Sequence, residues 1–169
     1  MKKQIQHIQQ NKNIVLAIFP SSKGFGYAIM ESPLKAIAYR MVALKSCKSN
    51  SYRARTRMLL DFFKPKVVIL EDKLNRKGKK VKEIINIIEE EATKQKLNIF
   101  KYSREDIRNV FQTFVGNRVT KYEIANFIAQ EIPELQHRLK EERRIWESED
   151  FFMPVFDSFA LAMTHYYNN

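Results

Sequence analysis

The hydrophobic pattern opens with an unbroken apolar run at positions 14–18, Ile-Val-Leu-Ala-Ile, which predicts a strand covered on both faces. Pro20-Ser21-Ser22-Lys23-Gly24 supplies turn residues. Phe25, Tyr27 and Ile29 then alternate with Gly26, Ala28 and Met30 along a returning strand. Pro33 marks a second turn, and alternation over 36–44 predicts a third strand, so the chain opens as an antiparallel meander. Ser49 or Ser51 caps a helix reaching Phe63, with Met58, Leu59, Phe62 and Phe63 as its apolar positions. A short apolar strand over 67–70 ends in Glu71-Asp72, and a helix between two strands implies a parallel crossover. Positions 81–95 predict an amphipathic helix with Ile84, Ile85 and Ile88 inward, Ile87 at the edge, and Glu89, Glu90 and Glu91 toward water.

Positions 98–102 predict a further strand. Ser103-x-x-Asp106 and Thr120-x-x-Glu123 are capping-box starts for helices over 104–111 and 121–131. Pro133 ends the second of these. Arg and Glu at helical spacing predict another helix over 135–146, followed by an acidic loop over 147–154 and a last helix carrying Phe156 to Tyr167. Strands interleaved with helices give an α/β fold with a mixed sheet. A chain of 169 residues, 44% of them hydrophobic, reads as a polar tail over 1–13 and one domain over 14–169.

Charge changes the picture. Residues 1–82 hold 19 Lys/Arg against 4 Asp/Glu, and residues 83–169 hold 11 against 15. A basic half beside a mildly acidic one points to a nucleic-acid partner. Cys47 stands alone, which excludes an internal disulfide framework and fits a reducing compartment. The polar opening lacks the apolar core of a secretion signal, and no apolar run has the length of a membrane span, so a cytoplasmic protein without membrane contact is expected. Two basic stretches are candidates for phosphate contact. In 45–57, Arg53 and Arg57 share a helix face, with Tyr52 among the arginines to stack on bases. The stretch 73–82 is mostly Lys and Arg and predicts a basic loop containing Lys73, Arg76, Lys77, Lys79 and Lys80.

One set of residues carries a resemblance. Pro20, Ser21 and Ser22 lead into Gly26-Tyr27; Glu71 ends a strand; Tyr102-Ser103, Arg108, Val115-Gly116 and Lys121 follow in order; and Asp157, Ala160, Ala162, Thr164 and His165 fall on the last helix. Over nearly its full length the chain resembles the RuvC-type Holliday junction resolvases, of the ribonuclease-H-like superfamily. The resemblance implies a five-stranded mixed sheet flanked by helices. It also implies Mg²⁺-dependent cutting of branched DNA by a homodimer, with Arg108 and Lys121 on phosphates and Leu74 helping to open the junction. Mg²⁺ takes oxygen ligands, and two ions share a bridging carboxylate. Of the family's four acids only Glu71 and Asp157 remain here, because Phe19 and Pro154 stand at the other two positions. The expected function is therefore nucleic-acid binding, to branched or duplex DNA, with cleavage weakened or lost. Two alternatives stay open: an active Mg²⁺-dependent endonuclease using Glu71, Asp157 and a third acid such as Asp150, or a protein-interaction module that keeps only the fold. His165 lies roughly 12 Å along the helix from Asp157 and is expected to be structural.

Overall fold

A computed structural model describes residues 13–43, 49–72 and 78–169. Their strands are β1 (Val15–Ser21), β2 (Gly24–Ser32), β3 (Lys35–Val42), β4 (Val67–Glu71) and β5 (Asn98–Tyr102), joined in one sheet of order β3-β2-β1-β4-β5. β1, β2 and β3 form the antiparallel meander, while β4 and β5 add in parallel beyond β1. This is the mixed sheet that the sequence pattern predicts. The helices are α1 (Ser49–Phe63), α2 (Lys79–Lys94), α3 (Arg104–Val115), α4 (Lys121–Glu131) and α5 (Met153–Asn168), with a 3₁₀ turn at Pro133–Arg138.

Strand alternation sorts the core into two layers. Ile14, Leu16, Ile18, Val68 and Leu70 face α1 and α2. Val15, Ala17, Phe19, Ala28, Met30 and Ile69 face α5, which is flanked by α3 and α4. α5 is buried along almost its whole length, so its apolar residues wrap around the helix rather than forming one stripe. Pro154 falls in its first turn, where a missing N–H costs nothing.

The structure corrects the hairpin tip. β1 runs through Pro20 and Ser21, and the turn is only Ser22-Lys23. Pro20 is opposite Phe25 and lies past the end of the β1–β4 ladder, where β1 has become an edge that tolerates proline. α1 also turns a different face inward: Tyr52, Thr56, Leu59 and Leu60 are buried, while Met58 and Phe62 are exposed. Tyr52 packs on Phe25 with ring centres 6.1 Å apart, so it is a core residue rather than a base-stacking one.

In α2 the buried positions are Ile84, Ile87, Ile88, Glu91 and Ala92, and Ile85 is at the edge. The spacing i, i+3, i+4, i+7 thus carries Glu91 into the α1–α2 seam, not toward water. Arg53 reaches Glu91 at 2.7 Å, Arg57 at 3.1 Å and Lys94 at 2.8 Å, and Arg53 also reaches Glu90 at 2.7 Å. The Arg57, Lys94 and Arg53 hydrogen bonds hold the Glu91 carboxyl down at about 2, against the opposing effect of burial.

The predicted helix over 135–146 does not form. The chain leaves the 3₁₀ turn at an extended Leu139 and runs irregularly to α5. A helix continuing from Leu139 would have set Glu142 and Arg143 on the face of Leu135 and Leu139, interrupting the apolar stripe before Trp146. Glu142 instead pairs with Arg118 at 2.9 Å, and Arg143 donates to the Glu147 carbonyl at 2.6 Å.

Candidate active site

The tips of β1 and β4 and the first turns of α3, α4 and α5 converge. The register Ala17↔Ile69 sets Phe19 and Glu71 level, two residues further along each strand. Both are buried, and alternation turns both toward α5; Asp72 has the other parity. Gly26 lies directly opposite Phe19 on β2 and lets the start of α5 approach the sheet. A Cβ there would lie 2.3 Å from the Pro154 carbonyl carbon.

Asp157 projects from α5 and is buried. One carboxylate oxygen accepts from Lys121 Nζ at 2.9 Å, and the other from Arg104 at 3.5 Å. Lys121 also donates to Glu149 at 2.6 Å, and its ammonium stands 5.2 Å from the centre of the Phe19 ring. Burial works to lower the Lys121 pKa, but Asp157 and Glu149 outweigh it and the net shift is upward, so the ammonium stays charged. Lys23, at the tip of the hairpin, donates to the Glu149 carbonyl at 3.3 Å and ties that segment over the cleft.

Both cations occupy the first position of a helix, capped by Ser103 for Arg104 and by Thr120 for Lys121. A helix N-terminus disfavours a cation, so each relies on the carboxylates it faces. Arg104 and Lys121 thus answer Asp157 and Glu149, with Glu71 buried beside them.

A pair of Mg²⁺ ions does not fit these residues. Phe19 sets an apolar ring level with Glu71, Pro154 offers no side-chain ligand, and both oxygens of Asp157 already accept from cations. Among the described residues no three His, Cys, Asp or Glu side chains group as a metal set. Asp150 accepts from Lys140 and from the Phe152 backbone N–H.

The other expected site residues fall as follows. Arg53 and Arg57 turn their charge toward Glu91. Arg108 is exposed on α3, one turn beyond Arg104. Lys79 and Lys80 form the first turn of α2 rather than a loop, following Gly78. Lys73, Leu74, Arg76 and Lys77 lie outside the described residues, as do Cys47 and most of the polar tail. His165 packs among Phe100, Tyr102 and Tyr166, and its Nδ1 is 2.9 Å from the Tyr102 hydroxyl. Arg104 and Glu149 join the site without a functional motif that marks them. The Ser103 cap gives a signal for Arg104, since it fixes Arg104 as the first helical residue. Glu149 comes from irregular chain, where no period marks it.

No family model matches the chain, and no curated protein matches it in sequence. Solved structures do. RuvC of Thermus thermophilus superposes with a TM-score of 0.66 at 19% identity, covering 92% of this chain and 95% of that one. T. thermophilus RuvC in complex with a Holliday junction substrate gives 0.67 at 18%, covering 92% and 94%. The yeast mitochondrial Holliday junction resolvase Ydc2 gives 0.59 at 12%, covering 96% and 83%. From the β1–β2 hairpin to the closing helix α5, this chain has the fold of the RuvC-type Holliday junction resolvases.

Proposed function

We propose that the protein binds nucleic acid, branched DNA in particular, and that it does not cut it with metal ions. The observation that carries this reading is the Lys121 ammonium, seated over Phe19 and paired with Asp157 and Glu149. It supplies in place the positive charge that the acids would otherwise draw from solution. The basic half and the likeness to a RuvC solved on a junction support the DNA partner. Phosphate contact falls to Lys79, Lys80 and Arg108, together with Lys73, Arg76 and Lys77; Arg53 and Arg57 contribute less, because Glu91 already engages them. Glu71 and Asp157 act as remnants of an acidic site, and Mg²⁺ is not required. The protein works in the cytoplasm.

The test is a DNA titration in chelator and in Mg²⁺. About four neutralised phosphates give a slope of log K against log[salt] near −3.6 in chelator, flattened in Mg²⁺ because the metal competes for the phosphates, with junction and duplex left intact in both. Metal-dependent cutting that Glu71→Ala and Asp157→Ala both abolish would establish the endonuclease alternative instead. Absence of DNA binding at low salt would leave the protein-interaction alternative.

A homodimer belongs to the same reading. Met58 and Phe62, 49% and 57% exposed, are four apart on the outer face of α1, and Arg55 and Asp61 flank Met58 three residues to either side. Two copies of α1 crossing antiparallel at Met58 bring each Arg55 to the other's Asp61, a self-complementary patch. Phe62→Glu is expected to convert the dimer to a monomer in sedimentation. A parent chain that sediments as a monomer at tens of micromolar removes the dimer from the reading.

A further inference from the structure

Between the 3₁₀ turn and α5 the chain makes a closed turn at Arg144-Ile145-Trp146-Glu147. The Glu147 N–H donates to the Arg144 carbonyl at 3.0 Å, the Arg144 N–H donates to the Glu147 carboxylate at 2.8 Å, and the Arg143 guanidinium donates to the Glu147 carbonyl at 2.6 Å. Three hydrogen bonds thus brace one turn. Its two corner positions, which ordinarily take Gly, Asn, Asp or Pro, carry Ile145 and Trp146. These side chains are 97% and 77% exposed. The Arg144 guanidinium lies over the indole, 5.6 Å from the ring centre.

The rest of the segment shows what chemistry the turn suits. Glu142, Glu149 and Asp150 are each paired with a cation, to Arg118, Lys121 and Lys140. Among the described residues no carboxylate pairs with the guanidinium of Arg143 or Arg144. The turn therefore offers a planar ring, a second apolar side chain and two arginines, with the Glu147 carboxylate turned back onto the Arg144 N–H. It also lies on the rim of a cavity of about 380 Å³ whose wall includes Lys121 and Glu149. A flat, apolar group attached to an anion matches this set, and an unstacked nucleobase with its phosphate is such a group. A base inside a duplex offers only its edge, so the fit is to bases left unpaired at a branch or in a single strand.

We infer that the Ile145–Trp146 turn stacks on an unpaired base of the bound nucleic acid while Arg143 and Arg144 hold the adjoining phosphate. This inference rests on the proposed DNA binding and adds a preference for unpaired bases. Trp146 is the chain's one tryptophan, so intrinsic fluorescence reports on it directly. A four-way junction with an unpaired nucleotide at the crossover is expected to quench that emission, and a blunt duplex of equal length to leave it unchanged. Trp146→Ala is expected to weaken binding to that junction about tenfold with duplex affinity retained, and Trp146→Phe to recover most of the loss. If the parent binds DNA and Trp146→Ala binds the junction with the unpaired nucleotide equally well, the inference fails and DNA binding stands. If the parent binds no DNA, the proposed function fails first. If Trp146→Ala instead changes the sedimentation of the protein alone, the turn is a protein contact and the inference is overturned.

Discussion

Gly26→Ala is expected to cost the fold more than about 3 kcal/mol, read as a large drop in the denaturant midpoint. The added Cβ would lie 2.3 Å from the Pro154 carbonyl carbon, 2.4 Å from its oxygen and 2.5 Å from the Val155 nitrogen. All three atoms are main chain, so no rotamer change relieves the contact. The start of α5 must lift, and with it go Val155, Phe156 and Phe159 from the core. Overpacking of a well-filled site costs roughly 1–3 kcal/mol where neighbours yield, and more where they cannot. Gly78→Ala is the control, because nothing lies within 4 Å of a Cβ there and its φ of −58° suits any residue. Equal midpoints for the two variants would show that α5 does not press on β2 as described.

Glu91→Gln is expected to remove about 2 kcal/mol at neutral pH and to flatten the acid limb of the stability curve. The folded carboxyl titrates at about 2, against an ordinary value of 4.5. A depressed carboxylate stabilises the fold fully above the ordinary value, and that stability is lost as pH falls through the folded one. The window is therefore about pH 4.5 down to 2. At about 1.4 kcal/mol per unit the full shift would be worth roughly 3 kcal/mol. Arg57 and Lys94 are half exposed, and water screens part of this. Unfolding free energies of the parent and Glu91→Gln should differ at pH 7 and converge near pH 2. Curves that stay parallel through that window would assign the acid response to other groups.

The sheet is legible from the chain because its signals are local. Alternation in β2 and β3, apolar runs in β1 and β4, and the two caps at Ser103 and Thr120 all act within a few residues. Glu91 shows where that reading stops. Its helical spacing marks it as inward, but three successive glutamates read as a solvated face until Arg53 and Arg57 arrive from a helix more than thirty residues earlier. The segment after Pro133 fails in the opposite sense, since Arg–Glu spacing fits a helix whose apolar stripe of Leu135, Leu139 and Trp146 is broken by Glu142 and Arg143. At the site, Glu71, Asp157 and Lys121 were reached through resemblance, and Phe19 through its departure from it. The pairing of Lys121 with Glu149 was not legible, because the path of an irregular segment depends on the surfaces it crosses.

The position of α5 has a consequence for how the chain folds. The Tyr166 hydroxyl donates to the Met30 carbonyl across 136 residues of sequence and lies 3.1 Å from the Asn13 carbonyl. The β1–β2–β3 meander closes on pairings no more than 17 residues apart, from Phe25 to Val42, whereas α5 must find its face across nearly the whole chain. Chain entropy is spent before those contacts form, which places α5 docking late and makes folding slow for a domain of this size. Until then Val15, Ala17, Phe19, Ala28 and Met30 form a bare apolar sheet face, the kind of surface on which partly folded chains aggregate. Asp157 travels with α5, so its pairing with Lys121 and Arg104 assembles in the same late step.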